Sequence, residues 1–244
     1  MSESLVTTIG DASIGNQSEV LASAKRQRWF ELLLVLLVSF GGFFLNSLYL
    51  LRNGPSAAPN MSNFRWTIGI LNEITALILL GYVLSRRRLS FKDLGLNWSL
   101  RSVGASLKLI FVSYIIYSFG AVAIRELQYV IQGSTAMGPT GKDFFAHPSI
   151  VAVPFFLLNP FLEELIVRAY LITEITSLTG SSALAVVVSV LVQFSYHLYY
   201  GWVGALSLCF PFVVFALYYA HSRRALPVIL AHEFFDILGL IRIW

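Results

Sequence analysis

Hydrophobic and polar positions divide this chain into long blocks. Residues 1–24 are polar, rich in Ser, Thr and Gly, and show no apolar period, which predicts a disordered tail. A basic cluster, Lys25, Arg26 and Arg28, leads into an apolar run over 29–51. That run is too long for a signal-peptide core, and no small-residue cleavage pattern follows it, so it is expected to remain attached as a first membrane span. Further apolar windows lie near 65–84, 103–124, 149–177, 182–200, 203–220 and 226–243. Each is near the roughly 20 residues that a helix needs to cross a bilayer. The expected fold is therefore all-α, a polytopic transmembrane helix bundle of seven spans. Eight spans result if Asn159-Pro160 splits the fourth window, since proline removes a backbone donor. The domain reading is a disordered, basic-ended cytoplasmic tail over 1–28 and a single transmembrane domain over 29–244.

Composition agrees. Of 244 residues, 57% are hydrophobic and 12% charged, and the mean hydropathy is +0.72. Soluble domains carry about 25% charged residues, so a soluble enzyme and a nucleic-acid partner are both excluded. The single cysteine, Cys209, excludes an internal disulfide and a multi-thiolate metal site.

Orientation follows from the placement of the 17 basic residues. With seven alternating helices, Lys25/Arg26/Arg28, then Arg86/Arg87/Arg88/Lys92/Arg101, then Arg223/Arg224 fall on one side. The positive-inside rule places that side, and the N-terminus, in the cytoplasm. Trp29, Trp66, Trp202 and Trp244 sit at predicted span ends, as an interfacial belt requires. The stretch 89–98 reads either as an amphipathic segment in the headgroup region or as an ordinary positive-inside loop. The outer loop 125–147, with Gly133, Gly138, Pro139 and Gly141, reads as flexible, and His147 in it as solvated.

Ionisable groups are costly in hydrocarbon, so each one inside a span is a candidate functional residue. Glu31, Glu73, Lys108 and Glu174 stand alone in their windows and read as structural or interfacial, with Glu73 deepest and able either to neutralise Lys108 or simply to be protonated, since burial disfavours the charged carboxylate. A second set forms a cluster across three spans: Glu163-Glu164-Leu-Ile-Val-Arg168, then His197, then His232-Glu233-Phe-Phe-Asp236. Helical geometry puts Glu164 and Arg168 one turn apart on one face, where they can pair. It turns Glu163 about 100° away, free to accept a proton. His232 and Asp236 also share a face.

Counting about 1.5 Å per residue from the cytoplasmic ends places Glu163 ~22 Å, His197 ~19 Å, Asp236 ~16 Å and His232 ~10 Å deep. His232 thus comes out shallower than its expected partners. Such a cluster could activate water through a carboxylate, stabilise an oxyanion through a histidine, or hold zinc. His232-Glu233-x-x-Asp236 is itself like the zinc-protease pattern H-E-x-x-H with Asp in place of the second His. A packing-only polar network of this size would be expensive in hydrocarbon.

The ordered set E-E-x-x-x-R, a histidine late in the next span and H-x-x-x-(Asn/Asp) resembles the CPBP family. These are intramembrane proteases that include type II CAAX prenyl endopeptidases and bacteriocin self-immunity proteins. The resemblance covers about 149–243 and extends to Leu94-Gly95-Leu96, which is similar to the family's loop before a span. It implies that Glu163 is the water-activating base, with Glu164 and Arg168 as supporting acid and ion-pair partner. It also implies that His197 and His232 orient water, stabilise the oxyanion or bind metal, and that Asp236 supports His232. A metal would take His197, His232 and Glu163 or Glu164; zinc and metal-free glutamate chemistry use the same residues.

One departure stands out. The family's second motif is F-x-x-x-H, whereas Gln193 precedes His197 by four here and Phe194 by three, which touches substrate fit more than catalysis. The resulting expectation is an intramembrane endopeptidase acting on a membrane-associated peptide or protein, prenylated or not. Compact size and short loops point to a bacterial plasma membrane. A non-catalytic immunity or peptide-binding protein would use the same pocket. A proton-coupled transporter would use the cluster as a relay, against which the lack of an internal repeat counts.

Overall fold

The computed structural model describes residues 3–58, 60–133, 139–145 and 148–243. Gly138, His147 and Trp244 lie outside them. Two compact units are distinguished, Met1–Leu34 and Val35–Trp244. The first is helical throughout its described length. It is the leading part of α1 (Glu3–Asn53), which thus runs back through the segment that hydropathy marks as a tail. Within it, Gln27 Nε2 donates to Glu31 Oε1 one turn on, at 2.9 Å.

In the second unit, α2 (Asn63–Arg86) starts at Ser62, whose hydroxyl accepts from the Arg65 amide. α3 (Leu100–Gln132) starts in the same way at Ser99, with Oγ accepting from the Ser102 amide. These caps satisfy amides that no preceding turn can reach. A short α4 (Gly141–Phe145) follows. Next comes one continuous helical stretch, α5 (Ala152–Glu163), a π-helical segment (Glu164–Tyr170) and α6 (Leu171–Thr179). α7 (Ser182–Tyr196), α8 (Gly201–Ser222) and α9 (Ala225–Ile243) complete the chain.

The described residues include no strand, so the all-α expectation holds. Among the described residues, four stretches are long and apolar enough to cross a membrane: Glu19–Asn53, Asn63–Arg86, Leu100–Ile131 and Leu198–Ser222. The fourth apolar window does not split, because Pro160 sits inside α5. The segment after it changes helix type instead. All seven residues of the π segment are buried, with α5, α6, α7, α8 and α9 packed against it. Large apolar side chains of α1 to α3, such as Leu45, Ile78, Phe111 and Phe119, point outward, as a lipid-facing surface requires.

Three local expectations change. Trp66 is not an interfacial tryptophan: it is 1% exposed, with the rings of Phe145, Phe155 and Phe156 at 5.8, 5.3 and 5.7 Å. The start of α2 is covered by α4 and α5, so its tryptophan meets protein rather than headgroups. Trp29 and Trp202 are exposed, as an interfacial belt predicts. Glu73 and Lys108 do not pair, since Lys108 is exposed on α3 and Glu73 is fully buried on α2. Glu174 does find a partner, Arg87, at 2.8 Å.

The stretch 89–98 does more than line a surface. Ser90 and Asp93 close a turn, with the Ser90 amide and hydroxyl donating to Asp93 Oδ2 at 2.7 and 2.8 Å. Those bonds hold the Asp93 carboxyl below its usual range. Leu94 is buried. Gly95 has φ +85° and lies so close to Arg223, Arg224 and Ala225 that a Cβ would collide with their backbone. Its carbonyl accepts from the amides of Ala225 and Leu226 at 3.1 and 3.4 Å. Arg224 reaches Ser99 and Ser102 at 3.0 and 2.8 Å. The loop therefore fixes where α9 begins, and α9 carries His232 and Asp236.

Candidate active site

Glu163 and Glu164 fall at the junction between α5 and the π segment. A π turn bonds i to i+5, so it is wider than an α turn and advances fewer degrees per residue. The separation of about 100° expected for an α-helix is thereby reduced. Both carboxylates enter one site, and Glu163, Glu164 and His232 each offer a donor atom within 4.8 Å of the others.

Glu164 is fully buried and sits between the His232 imidazole and the Arg168 guanidinium. Its Oε1 lies 2.8 Å from His232 Nδ1, and its Oε2 lies 3.6 Å from Arg168 Nε. A carboxylate oxygen accepts, so Nδ1 is the donating nitrogen. Arg168 is fully buried too. Its Nη1 donates to Ser189 Oγ at 3.1 Å, Ser189 in turn donates to the Val167 carbonyl at 2.7 Å, and its guanidinium stands 5.6 Å from the Phe212 ring centre. His232 Nε2 faces Asp236 Oδ1 at 3.5 Å, one turn along α9.

The depth count, which made His232 too shallow, fails here. It assumed that every span starts in one plane, whereas the Gly95 contact sets the start of α9 individually. The 2.8 Å contact with Glu164 shows the actual register.

Two residues that sequence reasoning did not assign to the site hold Glu163. Asn159 Nδ2 lies 3.2 Å from Glu163 Oε1 and 3.4 Å from Asp236 Oδ2, and so bridges α5 to α9. Gln193 Nε2 donates to Glu163 Oε2 at 2.6 Å. In the sequence Asn159 stands out only as a helix-break signal. Its position one turn before Glu163, inside an apolar window, was the available clue, because polar side chains in such helices bond across to neighbours. In the sequence Gln193 reads as a departure that bears on substrate fit. It bears instead on the candidate base.

Gln193 also orders His197. Its carbonyl lies 2.9 Å from His197 Nδ1. A carbonyl can only accept, so Nδ1 carries the proton and a neutral His197 presents its lone pair at Nε2. The ring is walled by Tyr196 and Phe212, with centroids at 4.8 and 4.9 Å. His197 is not one of the three residues whose donor atoms converge. All six residues expected in the site thus fall into one linked network, with His197 attached through Gln193.

Whether this set suits a metal can be judged from its donors. Two carboxylates and an imidazole match the oxygen and nitrogen ligands of zinc, with room for an open position. Glu164 Oε2 is buried with no hydrogen-bond partner, as a ligand oxygen would be. The donors fit, but the set is Glu163, Glu164 and His232 rather than one built on His197. Glu233 belongs to neither the trio nor the hydrogen-bonded network among the described residues.

No curated protein and no solved structure matches the chain. A family model does: residues 145–238 match the type II CAAX prenyl endopeptidase Rce1-like family. That segment holds Asn159, Glu163, Glu164, Arg168, Gln193, His197, His232 and Asp236, and its match supports the resemblance of the three motifs to the CPBP proteases.

Proposed function

We propose that the chain is an intramembrane endopeptidase in which Glu163 activates the water that attacks a peptide bond. The observation that carries this is the convergence of Glu163, Glu164 and His232 within 4.8 Å, inside helices whose outer faces are apolar. Each neighbour has a distinct part. Gln193 and Asn159 fix the Glu163 carboxylate, so that it need not reorganise as it takes a proton from water. The carboxylic acid so formed returns that proton to the departing amine. His197, with its Nδ1 proton committed to the Gln193 carbonyl, orients the water by accepting its second O–H at Nε2. Glu164, held by Arg168, keeps His232 oriented, and Asp236 does the same from the other side.

A zinc ion, when bound by Glu163, Glu164 and His232, would acidify the attacking water. The residues provide for water activation in either case. For substrate, the family points to a peptide near a membrane-associated segment, of CAAX type where prenylation occurs. The basic loops face the cytoplasm in this reading. It is supported by the contact of Gly95 with Arg223 to Ala225, which joins two loops that the positive-inside rule puts on one side. The host membrane in this reading is a bacterial plasma membrane.

The experiment is cleavage of an internally quenched, farnesylated CAAX-type peptide by purified protein in detergent or nanodiscs. Wild type is expected to cleave and Glu163→Ala to lose at least ~100-fold in rate, in keeping with loss of a general base. Equal rates would sink the mechanism.

A further inference from the structure

Glu73 is the one carboxyl group of α2, and neither the family motifs nor the mechanism above uses it. It is fully buried, and both its oxygens lack a hydrogen-bond partner. Other polar atoms around the site also lack a partner, among them Glu164 Oε2, Gln193 Oε1 and both oxygens of Glu233, but of the carboxyl groups with neither oxygen bonded Glu73 alone is fully buried among the described residues. In hydrocarbon an unmatched carboxyl group is costly to keep. Replacing one by an apolar side chain of similar size is often neutral or stabilising. A residue kept at such cost, with nothing bonded to it, marks a place where a donor arrives from outside the chain.

Its position relates it to the site. α2 packs against α5, and the two are tied at one end, where Ser149 Oγ bonds Asn63 Oδ1 at 2.6 Å. Glu73 stands ten residues into α2 from Asn63, about 15 Å along the axis. Glu163 stands eleven residues into α5 from Ala152, about 16 Å along. The two side chains are thus at matching depth on neighbouring helices. The charged groups within electrostatic reach of Glu73 are Glu163 and Asp236.

We propose that Glu73 is a substrate anchor: its carboxyl oxygens accept main-chain N–H groups of the extended peptide beside the scissile bond. The inference rests on the endopeptidase reading and adds a second polar wall to that site. A peptide must leave its helix to be cut, and in hydrocarbon its freed amides then have no water to bond. Glu163 is held on both oxygens by Asn159 and Gln193, and Glu164 on Oε1 by His232, with Oε2 turned to Arg168. Glu73 has both acceptors open, at the right depth, on the helix facing α5. Its unmatched state without substrate is what an acceptor awaiting a donor should show.

The test compares wild type, Glu73→Leu, Glu73→Gln and Glu163→Ala, purified full length, on the quenched farnesylated peptide. KM, kcat and the thermal midpoint are measured for each. Loss of a binding contact that is equally strong in ground and transition states raises KM with kcat unchanged. Glu73→Leu is expected to raise KM ~10-fold, the worth of one good hydrogen bond, with a thermal midpoint equal to or above wild type. Glu73→Gln keeps one acceptor oxygen and falls between the two. A wild-type KM in Glu73→Leu overturns the anchor while leaving the protease intact. So does a thermal midpoint lowered by several degrees, which would make Glu73 a packing residue. If Glu163→Ala cleaves as fast as wild type, the endopeptidase reading fails first and the anchor with it.

Discussion

Gln193 and Glu163 are joined across α7 and α5 by a 2.6 Å hydrogen bond, and the same glutamine receives His197 Nδ1 on its carbonyl. The side chain fixes the base while the main chain fixes the histidine. Gln193→Leu separates these two functions, because it removes the amide donor and leaves the carbonyl. The expected result is a fall in kcat of ~10-fold or more, since a hydrogen bond to a charged group contributes about 1.5–3 kcal/mol. Steady-state kinetics on the quenched peptide would show it. An unchanged kcat would remove Gln193 from the site.

Arg168 bears mainly on stability. Glu164 and Arg168 are both fully buried, so Arg168→Ala leaves a buried carboxylate short of its cation. Breaking a buried pair in this way costs about 3–5 kcal/mol. The lower end applies here, because His232 still faces Glu164. Thermal unfolding in detergent should show a drop of several degrees. Arg168→Lys should recover only part of it, lacking the planar guanidinium that reaches Ser189 beside Phe212.

Gly95→Ala tests the link from loop to site. The added Cβ meets the backbone of Arg223, Arg224 and Ala225, and φ +85° disfavours any side chain. The strain is on the order of 1–3 kcal/mol. Relief requires α9 to shift, and a misplacement of about 1 Å in a catalytic group can cost ~100-fold in rate. The combination expected is modest destabilisation with a disproportionate loss of activity. Activity falling only in step with the folded fraction would contradict it.

The metal-fitting trio yields a fourth expectation. In zinc titrations of the purified protein, His232→Ala should weaken binding by ~10-fold or more, because it deletes the only nitrogen among the three converging donors. His197→Ala should leave zinc affinity near wild type. The opposite order would restore His197 as a ligand.

Much of this site was legible from charge alone. In a chain with 12% charged residues, Glu163, Glu164, Arg168 and Asp236 were conspicuous because hydrocarbon penalises each of them. The pairing of Glu164 with Arg168 followed from their one-turn spacing. Asn159 and Gln193 escaped because uncharged amides carry a smaller penalty and so a weaker signal. Trp66 misled because a tryptophan at a span end looks the same in sequence whether lipid or another helix covers it. The convergence of the two glutamates was hidden for a different reason: no residue pattern announces a π turn, and a helical wheel assumes its absence.

That turn affects more than two side chains. Widening the helix at Glu164–Tyr170 puts extra chain into the middle of a buried rod, so the parts before and after it keep separate phase. A wheel drawn in register for Glu163 is out of register for Glu174, whose partner is Arg87 near the far end. Shortening the segment by one residue would rotate one end of the rod against the other. The six residues of the site and the ion pair below them could not then all be satisfied together. Chain length here is as much a part of the chemistry as the glutamates themselves.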